Sequence, residues 1–315
     1  MVKVSPLSHR RAVATMVLAA TLWSMAGVVT RQLEAARGFE VTFWRSAFNA
    51  LALVPLLMWL RGPRALAATL RTGGPALWLS GVCWCVMYTA FMLALTLTTV
   101  ANVLVTMALA PLFTALAARF ALGHRLAART WVAIALAGAG IGWMYGGDVA
   151  GSEPRHLFGV AVALAVPVAA AVNWTLLQAL TRRPSSTDAV GSAGTAAEAT
   201  QPPAPDLLPA VFIGAVLSAA LTLPLAWPLA ASARDVSWLA LLGVFQLAIP
   251  CLMAVVAARA LTAPEASLLA LLEVLLGVLW AWLGAGEAPS AAVIGGGSLV
   301  VGALVLNEAL ALRKG

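Results

Sequence analysis

Residues 94–125 have the sequence ALTLTTVANVLVTMALAPLFTALAARFALGHR, and residues 257–288 have the sequence AARALTAPEASLLALLEVLLGVLWAWLGAGEA. An offset of 163 residues aligns the two stretches. Paired positions hold the same place within their apolar runs, as in Thr99 and Thr262, Asn102 and Glu265, Leu116 and Leu279, and Gly123 and Gly286. The chain therefore contains an internal repeat.

Both copies of the repeat lie in apolar runs long enough to cross a membrane. The 315 residues are 62% hydrophobic and 10% charged, with a mean hydropathy of +0.94, whereas soluble domains are about a quarter charged. A membrane-crossing helix needs about 20 apolar residues. Runs bounded by charge, Pro or Gly predict ten spans, near 11–33, 39–60, 76–96, 98–119, 130–147, 157–180, 207–229, 236–258, 264–284 and 290–312.

The repeat divides these spans into two halves of five, at 11–147 and 157–312. Because five is odd, the second half enters the membrane with the opposite orientation, and the repeat is inverted. Repeats of this kind enclose a site near the membrane midplane. We therefore expect an all-α integral membrane protein with ten transmembrane helices in two inverted five-helix repeats, after a cytoplasmic N-terminal segment at 1–10.

The basic residues indicate how the chain is oriented. With the N-terminus in the cytoplasm, fourteen of the nineteen Lys and Arg residues fall on the cytoplasmic side, four fall outside and Arg45 lies within a span. This asymmetry follows the positive-inside rule and predicts that both termini are cytoplasmic in an inner (plasma) membrane. The net charge of +7 therefore reflects topology, and nucleic acid is not an expected partner.

One segment, residues 182–206, departs from the apolar pattern. It is rich in Ser, Ala, Pro, Gly and Thr and has almost no bulky apolar residue. Such a composition cannot bury enough surface to fold, so we predict a disordered cytoplasmic loop within the second repeat.

The chain lacks the residues that several kinds of chemistry require. The only lysines are Lys3 and Lys314, so a phosphate-binding lysine of a Walker A loop is missing. All His and Asp residues fall in predicted loops, which disfavours an intramembrane protease or another enzyme. The three cysteines, at 83, 85 and 251, lie within spans, so neither a disulfide nor a metal site is expected. We predict no enzyme activity and no cofactor.

Five segments carry a family resemblance: LWSMAGVVTR (22–31), FWRSAFNALALVPL (43–56), APLFTALAARFALGHR (110–125), GAGIGWMYGG (138–147) and SLLALLEVLLGVLWAWLGAGEAPS (267–290). In their order and spacing they resemble the EamA-type permeases of the drug/metabolite transporter superfamily. The resemblance implies ten spans in two inverted repeats, with spans four, six and eight around a central cavity. It also implies secondary transport of a small-molecule metabolite.

Polar residues at membrane depth are costly and are therefore candidates for a functional site. The candidates for the cavity are Trp23, Arg45, Tyr88, Asn102, Thr106, Asn173, Trp174, Gln178, Gln246, Glu273 and Trp280. For most of them the alternative is a hydrogen bond that joins neighbouring helices, since such bonds are common between membrane helices.

Glu273 and Arg45 are the two charged candidates. Glu273 is nine residues into its span and hence roughly 14 Å deep, on a face shared with small residues. It is either a carboxylate coupled to protons or substrate, or a structural acid bonded to another helix. Arg45 either binds a substrate carboxylate or is an anchor or partner for an acid such as Glu40.

These expectations define a function and two rivals. We expect an exporter of small amphipathic metabolites, such as zwitterionic or aromatic amino acids or drug-like solutes, that works by alternating access as a monomer or homodimer among membrane lipids. A membrane scaffold or sensor that uses the 182–206 loop for docking is one alternative. A lipid-handling protein with a groove open to the bilayer is the other.

Overall fold

The computed structural model of the chain describes residues 7–30, 32–98, 103, 106–123, 127–145, 154–181, 206–285 and 290–312. In these ranges the secondary structure is helical and includes no strand. The first six helices in chain order are α1 (His9–Trp23), α2 (Ala26–Thr30), α3 (Phe39–Arg61), α4 (Pro63–Thr72), α5 (Pro75–Leu97) and α6 (Ala110–Leu122). They are followed by α7 (Ala128–Tyr145), α8 (Pro154–Thr181), α9 (Leu208–Ala226), α10 (Ala233–Leu241), a π-helical segment (Leu242–Ala248), α11 (Ile249–Ala257), α12 (Ala263–Ala270), α13 (Leu272–Ala285) and α14 (Ala291–Leu312).

The predicted all-α membrane fold is confirmed. Six stretches of the described chain are long and apolar enough to cross a membrane, and they coincide with predicted spans one, two, three, six, seven and eight: His9–Thr30, Phe39–Arg61, Pro75–Leu97, Phe158–Thr181, Leu208–Ala226 and Ala233–Ala257. Helices α6, α7, α12 with α13, and α14 occupy the positions of the other four predicted spans. The count of ten spans therefore stays a prediction.

One helix was not predicted from the sequence, and one predicted segment lies almost entirely outside the described residues. Helix α4 lies between spans two and three, where the sequence analysis predicted no helix. It has only ten residues and buries only Leu66, so it lacks the long apolar run that was used to find spans. The predicted loop at 182–206 lies outside the described residues except for Asp206.

Two glycines bring helices into backbone contact. A Cβ atom on Gly243, in the π-helical segment, would lie 2.8 Å from the Arg45 carbonyl oxygen of α3. A Cβ atom on Gly214 of α9 would lie 2.4 Å from the Trp84 Cβ of α5. Glycine permits such close approach between membrane helices, and here it fixes the positions of Arg45 and Trp84.

Charged side chains fasten α3 at both of its ends. At the Phe39 end, Glu40 Oε1 accepts hydrogen bonds from the backbone N–H groups of Ala230 (2.9 Å) and Ala231 (2.8 Å), which precede α10. At the other end, Arg61 binds Asp206 through Nε at 2.6 Å and Nη2 at 3.0 Å, just before α9. Helix α3 is thus held to the second half of the chain at both ends.

A second guanidinium joins the Arg61–Asp206 pair. Arg259, which follows α11, donates from Nη2 to Asp206 Oδ1 at 2.9 Å. Burial raises the pKa of the Asp206 carboxyl, but the hydrogen bond and charge of Arg61, the charge of Arg259 and the Leu208 N–H lower it by more, so the net shift is downward. One carboxylate therefore links three segments of the chain.

Asp206→Asn is expected to lower the thermal stability of the protein at pH 7. The loss should fall between the ~0–1 kcal/mol of exposed ion pairs and the ~3–5 kcal/mol of buried ones, because the carboxylate is 26% exposed and the substitution leaves two guanidinium groups facing each other. An acid whose folded-state pKa is lowered contributes stability above its unfolded pKa near 3.8 and loses it as the pH falls through the folded-state pKa. Thermal unfolding in detergent at a series of pH values measures this difference.

The control is Glu34→Gln. Glu34 pairs with Arg234 at 2.6 Å, but both side chains are more than half exposed, so little stability should be lost. If Asp206→Asn is no less stable than Glu34→Gln at pH 7, the cluster does not hold the three segments together.

Candidate functional site

A cavity lies among the helices in the middle of the chain. Its volume is about 130 Å³, and α1, α3, α5, α8, the π-helical segment, α11, α12 and α13 contribute to its wall, together with residues at the start of α6. Apolar and aromatic side chains form most of the lining. The polar or charged side chains of the wall are those of Arg45, Trp84, Tyr88, Trp174, Gln246, Cys251, Ser267 and Glu273, together with Trp23.

Among the described residues, the wall contains one cation, Arg45, and one acid, Glu273, and they do not form an ion pair with each other. Arg45 is 2% exposed, and Glu273 is partly exposed to the cavity. Among the described residues no ion pair within 4.0 Å involves either side chain. The hydrogen bond recorded for Arg45 is a long one, 3.4 Å from Nη2 to the Tyr88 carbonyl oxygen. Both charges therefore remain available to a ligand.

The helix that carries Glu273 is interrupted next to it. Helix α12 ends at Ala270 and α13 begins at Leu272, which puts Glu273 in the first turn of α13. The N-terminal end of a helix carries partial positive charge, and this stabilises a carboxylate there. The interruption therefore supplies part of the environment that a buried carboxylate needs.

Helix α1 and the π-helical segment, which also border the cavity, are irregular as well. Helix α1 ends at Trp23, and α2 begins after Ser24 and Met25. The Trp23 carbonyl oxygen accepts a hydrogen bond from Gln246 Nε2 at 3.2 Å, and Gln246 lies in the π-helical segment. The Ser24 hydroxyl binds the Thr21 carbonyl oxygen and accepts from Trp280 Nε1 at 2.8 Å. Broken helices with side chains bonded to the freed backbone groups are typical of membrane proteins in which the irregular backbone lines a cavity.

Several buried polar atoms of the wall lack a hydrogen-bond partner. They are Arg45 Nε, Trp84 Nε1, Tyr88 Oη, Gln246 Oε1 and Ser267 Oγ. The Tyr88 hydroxyl lies beside Asn49 and Cys251 but has hydrogen-bond geometry with neither. Buried polar atoms are nearly always paired, so an accumulation of unpaired ones around one cavity indicates that a ligand or water completes them.

Aromatic rings surround the polar atoms. The Trp84 ring lies 5.6 Å from the Tyr88 ring, centroid to centroid, and 6.0 Å from the Trp174 ring in an edge-to-face arrangement. Such arrangements are favourable for aromatic pairs and hold the rings in place. The cavity can therefore accept an apolar or aromatic group next to its charges.

Comparisons with known proteins give the family. Residues 10–146 match the model of the EamA-like transporter family. This stretch belongs to the EamA-like transporter family. The predicted resemblance is thereby confirmed, and the protein is a multi-pass membrane transporter of the drug/metabolite kind, with a small-molecule substrate and a lipid environment.

A solved structure extends the likeness of fold beyond the EamA-like stretch. The protein in one solved crystal structure is 19% identical in sequence to this chain. The two structures superpose with a TM-score of 0.71, and the similarity covers 96% of this chain and 98% of the other. At this identity it shows the fold alone. No protein with a curated description matches the chain.

Nine of the eleven predicted site residues fall into two groups around the cavity. Six of them line it: Trp23, Arg45, Tyr88, Trp174, Gln246 and Glu273. Three others bond to a neighbouring segment: Asn173 accepts from Ser80 at 2.6 Å, Gln178 accepts from the Ala263 N–H at 3.1 Å, and Trp280 donates to Ser24. Thr106 is buried beside the lining residue Met107, and Asn102 lies outside the described residues.

The sequence analysis missed other residues of the wall, of which Trp84 and Ser267 are polar and have unpaired atoms. Trp84 precedes Tyr88 by four residues and therefore shares its face of α5. That spacing was visible in the sequence. Trp is also common at membrane interfaces, however, and this common role obscured the signal.

Proposed function

We propose that the protein is a secondary transporter that carries small zwitterionic solutes with an apolar or aromatic body, such as amino acids, through this cavity. The proposal rests chiefly on the unpaired Arg45 and Glu273, which line the same cavity. A guanidinium group binds carboxylates, and a carboxylate binds ammonium groups. A zwitterion satisfies both charges at once, whereas a multiply charged phosphate would require more cations than the described part of the wall contains.

The size and lining of the cavity support the same class of solute. Its volume of about 130 Å³ is close to that of a ~150 Å³ apolar cavity that holds benzene, so it matches the apolar body of such a solute. The rings of Trp84, Tyr88 and Trp174 offer contact to an aromatic or aliphatic side chain. Orientation would come from the few polar groups, as is usual for small-molecule sites.

Alternating access between two inverted halves, at 11–147 and 157–312, is the proposed mechanism. Helices interrupted at the level of the cavity can change their angle without unfolding, and discontinuous helices are common in transporters built from inverted repeats. We further propose an inner-membrane location with both termini in the cytoplasm, supported by the distribution of basic residues, and outward transport.

Counterflow in proteoliposomes tests the proposal. Vesicles containing the purified full chain are loaded with an unlabelled amino acid, and uptake of the labelled one is compared with uptake into protein-free vesicles. We expect transient accumulation for aromatic or aliphatic amino acids and none for sugar phosphates. Absence of flux for every zwitterion in either direction and under every imposed gradient would falsify the proposal.

Glu273→Gln is expected to reduce amino-acid flux at least tenfold. Gln is similar in size but cannot supply the negative charge that the ammonium group needs, and hydrogen bonds to charged groups are worth about 1.5–3 kcal/mol. Initial rates between pH 6 and pH 8 also test whether Glu273 couples transport to protons. If the variant folds and keeps wild-type flux and pH dependence, Glu273 is a structural acid.

A further inference from the structure

Hydrogen-bond donors and acceptors are unevenly distributed around the cavity. On α3 and α5, Arg45 Nε and Trp84 Nε1 are buried donors without partners. Elsewhere on the wall, Gln246 Oε1 of the π-helical segment is a buried acceptor without a partner, and Glu273 of α13 lines the same space. An indole N–H and a guanidinium group can only donate. The α3–α5 wall is therefore suited to the acidic end of a solute.

Arg45 and Trp84 are close because both lie against Tyr88. The Arg45 guanidinium donates to the Tyr88 carbonyl oxygen. Trp84 precedes Tyr88 by one helical turn on α5, and their rings lie side by side. Trp84 is 3% exposed. Both donors thus lie next to Tyr88, and both side chains line the same cavity.

Contacts on two other sides hold Trp84 in this position. The Trp174 ring meets it edge to face, and Gly214 of α9 leaves no room behind its Cβ atom. A donor held by its neighbours loses little entropy when it binds a ligand, which increases its contribution to affinity. The packing favours a fixed indole N–H next to Arg45.

We infer that Trp84 and Arg45 form a carboxylate-binding subsite, in which the indole N–H of Trp84 donates to the solute carboxylate alongside the guanidinium group. The inference rests on the proposed transport of zwitterions and adds an orientation: the carboxylate lies against α3 and α5, and the ammonium group lies against Gln246 and Glu273. A carboxylate has about four lone-pair sites, so it can accept from both donors. Trp84 is then a binding and specificity residue in addition to its packing role.

Trp84→Phe tests the inference because it keeps an aromatic ring and removes the N–H group. Binding of phenylalanine and of 2-phenylethylamine, which lacks the carboxylate, is measured by calorimetry on the purified full chain in detergent. We expect the phenylalanine Kd to rise about tenfold or more and the 2-phenylethylamine Kd to change by less than about twofold. Without ligand, the thermal unfolding midpoint should stay close to that of the wild type.

The control is Trp78→Phe, the same change on the same helix. Trp78 is 47% exposed and does not line the cavity, so phenylalanine binding should be unchanged. The inference is overturned if Trp84→Phe binds phenylalanine as the wild type does. It is also overturned if both ligands are weakened equally or if the unliganded variant is destabilised in proportion to its loss of binding. A wild-type protein that binds neither ligand and carries no zwitterion contradicts the proposed function itself.

Discussion

Replacing Gly243 by alanine is expected to destabilise the protein and to remove transport. The added Cβ atom would lie 2.5 Å from Phe48 Cβ and 2.8 Å from both the Arg45 carbonyl oxygen and the Asn49 backbone nitrogen. Two of these three atoms belong to the α3 backbone, so no side-chain rotation can make room. Overpacking typically costs about 1–3 kcal/mol, and here two helices must separate to relieve it.

The loss of transport should exceed the loss of stability because Arg45 lies at the contact. A shift of α3 away from the π-helical segment moves the guanidinium group relative to Glu273, and binding sites tolerate displacements of only about 0.5 Å. Helix α3 is also fastened at both ends, by Glu40 and by Arg61, so the strain concentrates in the middle of the helix. Thermal unfolding and amino-acid counterflow on the same preparation measure both losses.

Gly138→Ala is the matched control for this prediction. Gly138 lies inside α7, and a Cβ atom there would meet nothing within 4 Å. The same substitution should therefore leave flux unchanged and should raise stability slightly, because alanine favours a helix by about 1 kcal/mol over glycine. A Gly243→Ala variant that behaves like Gly138→Ala would show that the close contact is not required.

The sequence predicted the fold class because membrane helices follow a simple rule. Each must present about 20 apolar residues, and a run such as Leu208–Ala226 meets that requirement without help from its neighbours. Helix α4 was missed for the opposite reason, since its stability depends on one buried leucine and on packing against α3 and α9. Patterns of apolar residues predict elements that are autonomous and miss those that depend on tertiary contacts.

The residues of the cavity were predicted only in part. A polar side chain at membrane depth needs a partner whether it binds a ligand or joins two helices, so the sequence alone does not separate the two roles. Gln246 and Asn173 looked alike in sequence, and each has one bonded and one unpaired amide atom, yet Gln246 lines the cavity and Asn173 does not. Which partner is available depends on the rotation and kinks of several helices. The one-residue interruption at Leu271 is one such irregularity, and neither Pro nor Gly marks it in the sequence.

Arg45→Met is expected to stabilise the protein while it removes amino-acid transport. Arg45 is buried without an ion-pair partner among the described residues, and an unpaired charge at membrane depth is costly. Methionine is unbranched and apolar and can occupy much of the same volume. Replacing buried charges by apolar groups is often neutral or stabilising by up to roughly 1–4 kcal/mol. The unfolding midpoint should therefore hold or rise, while flux falls to the level of empty vesicles.

Arg61→Met is the matched control, because it makes the same substitution on the same helix. Arg61 is paired with Asp206, so its removal should lower the unfolding midpoint and leave substrate binding in the cavity intact. The two variants are thus expected to shift stability in opposite directions. If Arg45→Met is destabilised as much as Arg61→Met, Arg45 has a structural partner and its charge serves the fold. A charge that weakens the fold and yet is required for flux is explained by a solute that brings the missing carboxylate.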